Sequence, residues 1–481
     1  MNYRVILRTL GFILLFEAVF FIVPAITAVC YWEEEFFSFL ISMAICAACG
    51  SLCLLVKPKN DSMYAKEGFV IVALSWIVMS VFGSLPFWIS GAIPSFIDAL
   101  FETVSGFSTT GATILASGEA IEALPKCMLM WRSFTHWIGG MGVLVFVMVF
   151  LPLSGGRNIN LLKAESTGAA VSKLVPKMRK TARILYLIYT ALTLLELVLL
   201  LFEMPAFEAI TTAFGTAGTG GFSVKGDGLA GYSAYAQIVV TGFMILFSIN
   251  FTSFYLILCG RLKEAFNTEV RVFFCIVVAA IALIAVNLCM SNLGYSVGEA
   301  ILHSAFSVAS IISTTGFATA NFNLWSPFAQ TILVVLMFIG ACAGSTGGGM
   351  KVSRMIVLYK GATHEMKRIL HPRQVKKIAI DKRIVEHEVV RGINAYFFAY
   401  ILIFIVSLLI ISLNGFDLTT NFTSIVATLN NIGPGLGLVG PDGSFAIFSD
   451  LSKLTFIFNM LAGRLEVFPM LVLFAPSTWR K

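Results

Sequence analysis

Ten apolar segments, a one-sided distribution of Lys and Arg, and a glycine-bearing loop that recurs four times predict an all-α polytopic membrane protein. The expected architecture has ten spans. Four pseudo-repeated units, each span, pore helix and span, surround one pore, and two extra spans precede them. Of the 481 residues, 58% are hydrophobic and only 12% are charged. A soluble core of this length could not hide that much apolar surface.

Segments long enough to cross a bilayer occur near 9–30, 36–56, 68–91, 127–152, 183–203, 233–259, 272–291, 327–361, 391–414 and 451–475, the eighth being interrupted. The N-terminus has the basic start of a signal peptide. Its apolar stretch is long, however, and a second begins just after "YWEEE", so it reads as a retained span. Cys46, Cys49 and Cys53 fall on one helical stripe. With no second pair or His nearby, they read as packing residues rather than metal ligands.

Basic residues set the orientation. The N-terminus, 57–66, 157–183, 261–271, 351–391 and the C-terminus hold 28 of the 33 Lys and Arg. By the positive-inside rule these segments and both termini are cytoplasmic. The net charge of +7 is then a signature of topology, not of nucleic-acid binding.

Four shorter segments near 95–108, 205–217, 298–313 and 418–430 are too short to span and suit re-entrant half-helices. Each leads into a loop: "STTGA" at 108–112, "GTGGF" at 218–222, "STTGF" at 313–317 and "NIGPG" at 431–435. Their glycines, Gly111, Gly221, Gly316 and Gly433, recur at intervals of 110, 95 and 117 residues, an internal repeat. The units run 61–155, 156–262, 263–380 and 381–481, after two N-terminal spans in 1–60. Asp98 and Glu208 each lie thirteen residues before their glycine, where the later units have His303 and Thr420.

A half-helix leaves its last carbonyls unpaired, and irregular backbone survives at membrane depth only where it lines a wet cavity. Glycine permits positive φ, so successive peptides can aim their oxygens one way. Four such loops on one axis would form rings of oxygen able to replace the water around a cation, with half-helix dipoles adding negative potential. Small residues for helix packing explain one copy but not four.

"ALFETVSGFSTTGAT", "WRSFTHWIGGMGVLVF", "GTAGTGGFS", "SIISTTGF", "GACAGSTGGGMKV" and "NNIGPGLG" together resemble the TrkH-type subunits of the Trk/Ktr/HKT potassium transporter superfamily. The likeness covers nearly the whole chain, and the extra leading pair of spans matches the TrkH branch. It implies a single-chain counterpart of a tetrameric potassium channel in a bacterial inner membrane. Carried over residue by residue, the ion-binding filter is Thr109, Thr110 and Gly111; Thr219, Gly220 and Gly221; Thr314, Thr315 and Gly316; and Asn431, Ile432 and Gly433. Only the glycine is common to all four, so potassium preference with weaker rejection of sodium is expected.

The broken segment carries "GACAGSTGGG" at 340–349, and glycine at this density weakens a helix by roughly 1 kcal/mol per residue. The resemblance makes this loop the gate, with Gly344, Ser345, Thr346, Gly347, Gly348 and Gly349 as its centre. No Gly-Lys-Ser/Thr follows, which disfavours a phosphate loop. Arg464 lies inside the last apolar segment, where arginine is costly. The resemblance gives it a pore-facing role beneath the filter. Pairing with Glu466, or with carbonyls of the broken span, is the structural alternative. Glu17 and Glu196 are expected to snorkel or to bond between helices, and His136 and His303 to be packing residues.

No nucleophile or metal cluster suggests an enzyme. The chain should need no cofactor, its bound ion being potassium. The basic segments could touch anionic lipid or dock a partner. The resemblance implies a TrkA-type cytosolic regulator that binds NAD and adenine nucleotides, and a homodimer. A proton- or sodium-coupled potassium symporter is the alternative to a channel-like conductor. Such coupling needs an ionisable group near the site, and only Glu102 and Glu208 lie close to the loops.

Overall fold

The computed structural model describes residues 1–56, 65–116, 118–142, 178–291, 293–371, 378–381 and 383–479. The end of the 127–152 segment, most of 57–66 and 157–183, parts of 351–391, residues 480–481 and the unit boundaries near 60 and 155 lie outside them. Among the described residues, six helices are long and apolar enough to cross a membrane, and a bent pair would make a seventh.

Among the described residues the order is almost wholly helical. Tyr3–Phe20 and Ile22–Tyr31 run nearly end to end, followed by Phe36–Leu54. Each later unit brings a first helix, a short helix, a loop and a second helix. The first helices are Ala65–Gly83, Met178–Leu200, Thr268–Met290 and His387–Ile411. The short helices are Phe96–Phe107, Ala206–Gly218, Val297–Ile312 and Leu418–Leu429. A two-stranded antiparallel hairpin, Ala379–Ile380 with Arg383–Ile384, interrupts the all-α pattern inside the basic 351–391 segment.

Start signals fix the short helices. The Ser95 and Ser296 hydroxyls accept the amides of Asp98 and Glu299, and Glu299 returns the bond as a capping box. Asp417 does the same for the fourth, accepting the Thr420 amide at 3.0 Å and hydroxyl at 2.6 Å. Those bonds, the hydroxyl first, hold its carboxyl below the usual range. Pro205 precedes the second helix, and its fixed φ suits that position.

Two segments expected to be continuous are broken. The 233–259 segment divides into Ala234–Phe247 and Phe251–Leu258, bent by 92°. Backbone groups freed at the bend are taken up by the glycine-rich loop: Cys342 N donates to Ser248 O and Phe251 N to Gly344 O, both at 3.0 Å. The 451–475 segment stops at Arg464 and resumes at Phe468, with Glu466 and Val467 at positive φ. Apolar composition hides the first break, because its satisfying partners come from another unit; at the second, the amides of Leu465, Glu466 and Val467 return to Leu461, Gly463 and Ala462 of their own helix. The glycine-rich break itself runs from Gly340 to Lys351, between Pro327–Ile339 and Val352–Leu370.

Candidate functional site: four glycine loops around one cavity

All four short helices end in the same local motif. Thr109, Thr219, Thr314 and Asn431 adopt left-handed backbone, with φ of 57°, 55°, 60° and 55°. Their amides donate to the carbonyls three residues back, Gly106, Thr216, Ile311 and Thr428. The next amides, of Thr110, Gly220, Thr315 and Ile432, reach five residues back to Ser105, Gly215, Ser310 and Ala427 at 2.8–2.9 Å. This is a Schellman termination four times over. Glycine or asparagine normally fills the left-handed position, and a β-branched threonine there is strained. The residue two further on is Gly111, Gly221, Gly316 or Gly433, with φ of 77°, 77°, 86° and 98°. Left-handed residues on either side of one that is not turn successive carbonyls toward the same side.

The loops then close on one another. A Cβ built on Gly111 would strike the Gly220 carbonyl oxygen, one on Gly221 that of Thr315, and one on Gly316 that of Ile432. A Cβ on Gly433 would meet the Thr110 oxygen at 2.7 Å. Each glycine abuts the carbonyl of the equivalent residue in the next loop, and the fourth returns to the first. All four glycines line one cavity of about 90 Å³, together with Arg132, Asp227 and Asp442.

The 340–351 loop packs against the ring. The Gly348 amide donates to the Thr314 hydroxyl at 2.6 Å, and the Gly349 amide to Asn430 O at 3.1 Å. Gly347 and Gly348 sit so close to the Ser313 and Asn430 carbonyls that no Cβ would fit. Thr346 is fully buried, with its hydroxyl on Phe247 O. Glu269 accepts from Ala343 N at 2.7 Å and Ser353 N at 3.1 Å, clasping both ends of the loop. Lys351, buried and at positive φ, donates to Gly347 O. Gly344 faces the Asn250 side chain, and the Ser345 hydroxyl returns to Cys342 O at 2.6 Å.

Arg464 does not pair with Glu466, which binds Arg354 instead. It donates to the carbonyls of Thr346 at 2.8 Å, Gly140 at 2.7 Å and Gly139. It thus ties the glycine-rich loop to the end of the first unit's second helix. The snorkelling expected of Glu17 and Glu196 is not seen, since both are fully buried.

His136 does more than fill space. Its Nδ1 faces Gly106 O at 2.8 Å, its Nε2 accepts the Phe222 amide at 3.2 Å, and its ring leaves Gly220 no room for a side chain. His303 meets the Thr319 hydroxyl at 3.1 Å. Reading the sequence missed Arg132, Glu269 and Asn250 as parts of the site. A charged residue inside an apolar run was the available signal for Arg132. All nine cysteines are free thiols.

A family described as TrkH, cation transport protein, matches residues 35–481. The Trk system potassium uptake protein TrkH of Salmonella typhimurium is 36% identical over the full length of both chains. The Trk system potassium uptake protein TrkG of Escherichia coli K12 is 31% identical over 99% of each. Among solved structures, the potassium transporter TrkH from Vibrio parahaemolyticus superposes with a TM-score of 0.89 at 33% identity, covering both chains completely. From the first membrane helix to the last, the chain belongs to the TrkH family of cation transport proteins.

Proposed function

We propose that this chain is the ion-conducting subunit of a bacterial potassium uptake system, passing potassium inward across the inner membrane. The cation sheds water into the ring formed by the Thr109–Gly111, Thr219–Gly221, Thr314–Gly316 and Asn431–Gly433 backbones. The observation that carries this reading is the closed order of the four loops, each glycine against the next loop's carbonyl. The full-length likeness to Trk system potassium uptake proteins supports potassium as the ion.

In this reading the chain crosses the membrane ten times, as two leading spans and four units bounded near 60, 155, 262 and 380, with both termini cytoplasmic. The 340–351 loop is the gate and Arg464 a cationic barrier beneath the ring. The membrane potential drives uptake at about 2.3 kcal/mol per charge per 100 mV. No cofactor is needed in this chain; potassium is its cargo. A TrkA-type nucleotide-binding regulator docks on the cytoplasmic face, and the chain works as a homodimer.

Channel-like conduction is favoured over coupled symport because Glu102 and Glu208, the acids carried on the first two short helices, are engaged. Glu102 is held by Arg132 at 2.8 Å. Glu208 accepts the Tyr232 hydroxyl at 2.7 Å and faces Lys225 at 3.9 Å. The test is potassium and sodium flux from purified protein in liposomes, with and without the regulator. Potassium-preferring flux without stoichiometric proton movement is expected. Fixed co-movement of protons or sodium would overturn the reading.

A further inference from the structure

Beside the ring lies a charged pair that the conduction reading treats only as a neutralised acid. Glu102 and Arg132 meet at 2.8 Å with side chains only 0% and 2% exposed. Neither charge is spent on the other alone. Glu102 accepts the Thr113 hydroxyl and the Ile114 amide, each at 3.0 Å. Arg132 donates to Ser223 O at 3.2 Å, and its guanidinium lies 4.1 Å from the centre of the Phe222 ring. Thr113 is two residues beyond Gly111, and Ser223 two beyond Gly221. The carboxylate therefore grips the first loop and the guanidinium the second, at matching positions.

We infer that Glu102 and Arg132 are positioning residues for ion selection, a two-charge clamp that fixes the spacing between the first two loops. The inference rests on the filter reading above. A buried ion pair is a poor source of stability, because desolvation offsets its attraction. Its use lies in direction: a planar guanidinium and a carboxylate can each hold several partners in fixed geometry. The other two loops are held by hydroxyls. Ser310 donates to Phe317 O at 2.6 Å, and Thr423 receives the Leu436 amide at 2.9 Å. The clamp thus makes the first two quarters of the ring the stiffer half. Because Arg132 also lines the cavity, its charge must be matched by Glu102 or it would repel approaching cations.

The test measures rubidium-tracer uptake into liposomes, competed by potassium and by sodium, for wild type, E102Q, T113V and the double variant E102Q/R132Q. Single E102Q strands a buried cation and is expected to depress uptake. T113V keeps the ion pair but removes one link to the first loop. The double variant leaves no unmatched charge, so its chromatographic profile in detergent should match wild type. Yet its potassium-over-sodium preference should fall by roughly tenfold, the factor one charge-assisted hydrogen bond carries, and T113V should show a smaller loss. A well-folded double variant with wild-type preference would overturn the clamp while leaving the filter intact. A wild-type protein with no preference would instead remove the filter reading itself, and the clamp with it.

Discussion

Replacing Gly316 with serine tests the ring at one of its three tight seams. The substitution meets two obstacles at once. Backbone φ at Gly316 is 86°, where an L-residue is strained by about 1–3 kcal/mol. Its new Cβ would also overlap the Ile432 carbonyl oxygen, while the Pro434 ring stands 2.9 Å away on the other side. Ordinary contact begins at 3.4 Å, so the oxygen must retreat before the side chain fits. If the proposed ion-binding ring bears that whole strain, it corresponds to at most roughly 5- to 150-fold in the ratio of two ions' permeabilities. On the proposed filter reading the loss should fall on potassium preference, because the ring of oxygens is what distinguishes the two ions. Membrane insertion should be intact, since the change lies far from any span's apolar surface. The seams also predict an order. Cβ atoms at Gly111, Gly221 and Gly316 collide harder with the next carbonyl than one at Gly433, which meets Thr110 O at 2.7 Å. Serine at 433 should therefore be the mildest of the four. Competition between potassium and sodium for rubidium uptake reads all four variants on one scale. Unchanged preference in a well-inserted G316S protein, or G433S as the most damaging variant, would refute the reasoning.

Thr314→Val removes the acceptor for the Gly348 amide, leaving a buried donor that costs about 1–3 kcal/mol and freeing the loop packed against the ring. If the 340–351 loop is the gate, basal potassium flux should rise, and flux at or below wild type would contradict that role. Arg464→Met deprives the Thr346, Gly139 and Gly140 carbonyls of their donor and, in the proposed reading, removes a cation from the path. Inward potassium current should increase, whereas an unchanged current from folded protein would remove Arg464 from the conduction pathway. Asp417→Ala removes the cap of the fourth short helix and should lower thermal stability by about 1 kcal/mol. The carboxyl sits below its usual pKa when folded, so its contribution is full above the ordinary carboxylate range and disappears as pH falls through the lowered value. The melting-temperature gap between wild type and D417A should therefore close in acid, and a gap that persists there would assign the effect elsewhere.

The short helices were legible because each is an apolar run too short to span that leads into a glycine-bearing loop. Phe96–Phe107 and Leu418–Leu429 begin at Ser95 and Asp417 and end where glycine appears. The breaks in two of the second helices were not legible. Ser248–Asn250 carries no glycine or proline, and its freed carbonyl is satisfied by Cys342 from another unit. Composition could point to a filter-like loop but not to the backbone of Thr109, Thr219 and Thr314. Threonine is a poor choice for a left-handed residue, and only the closed ring explains why the chain tolerates it. The same holds for Arg464. Its position inside an apolar run flagged it, while its partners come from a loop and a helix more than a hundred residues away. Glu102 and Arg132 stood thirty residues apart in separate motifs, with nothing in either to announce the pairing.

Anomalous scattering from crystals grown in rubidium or thallium bears most directly on whether the ring holds a cation stripped of water. One or more peaks on the axis shared by Gly111, Gly221, Gly316 and Gly433, within coordinating reach of the Thr110, Gly220, Thr315 and Ile432 carbonyl oxygens, is the result this structure predicts. Peaks confined to surface carboxylates, with the axis empty at ion concentrations that support flux, would contradict it.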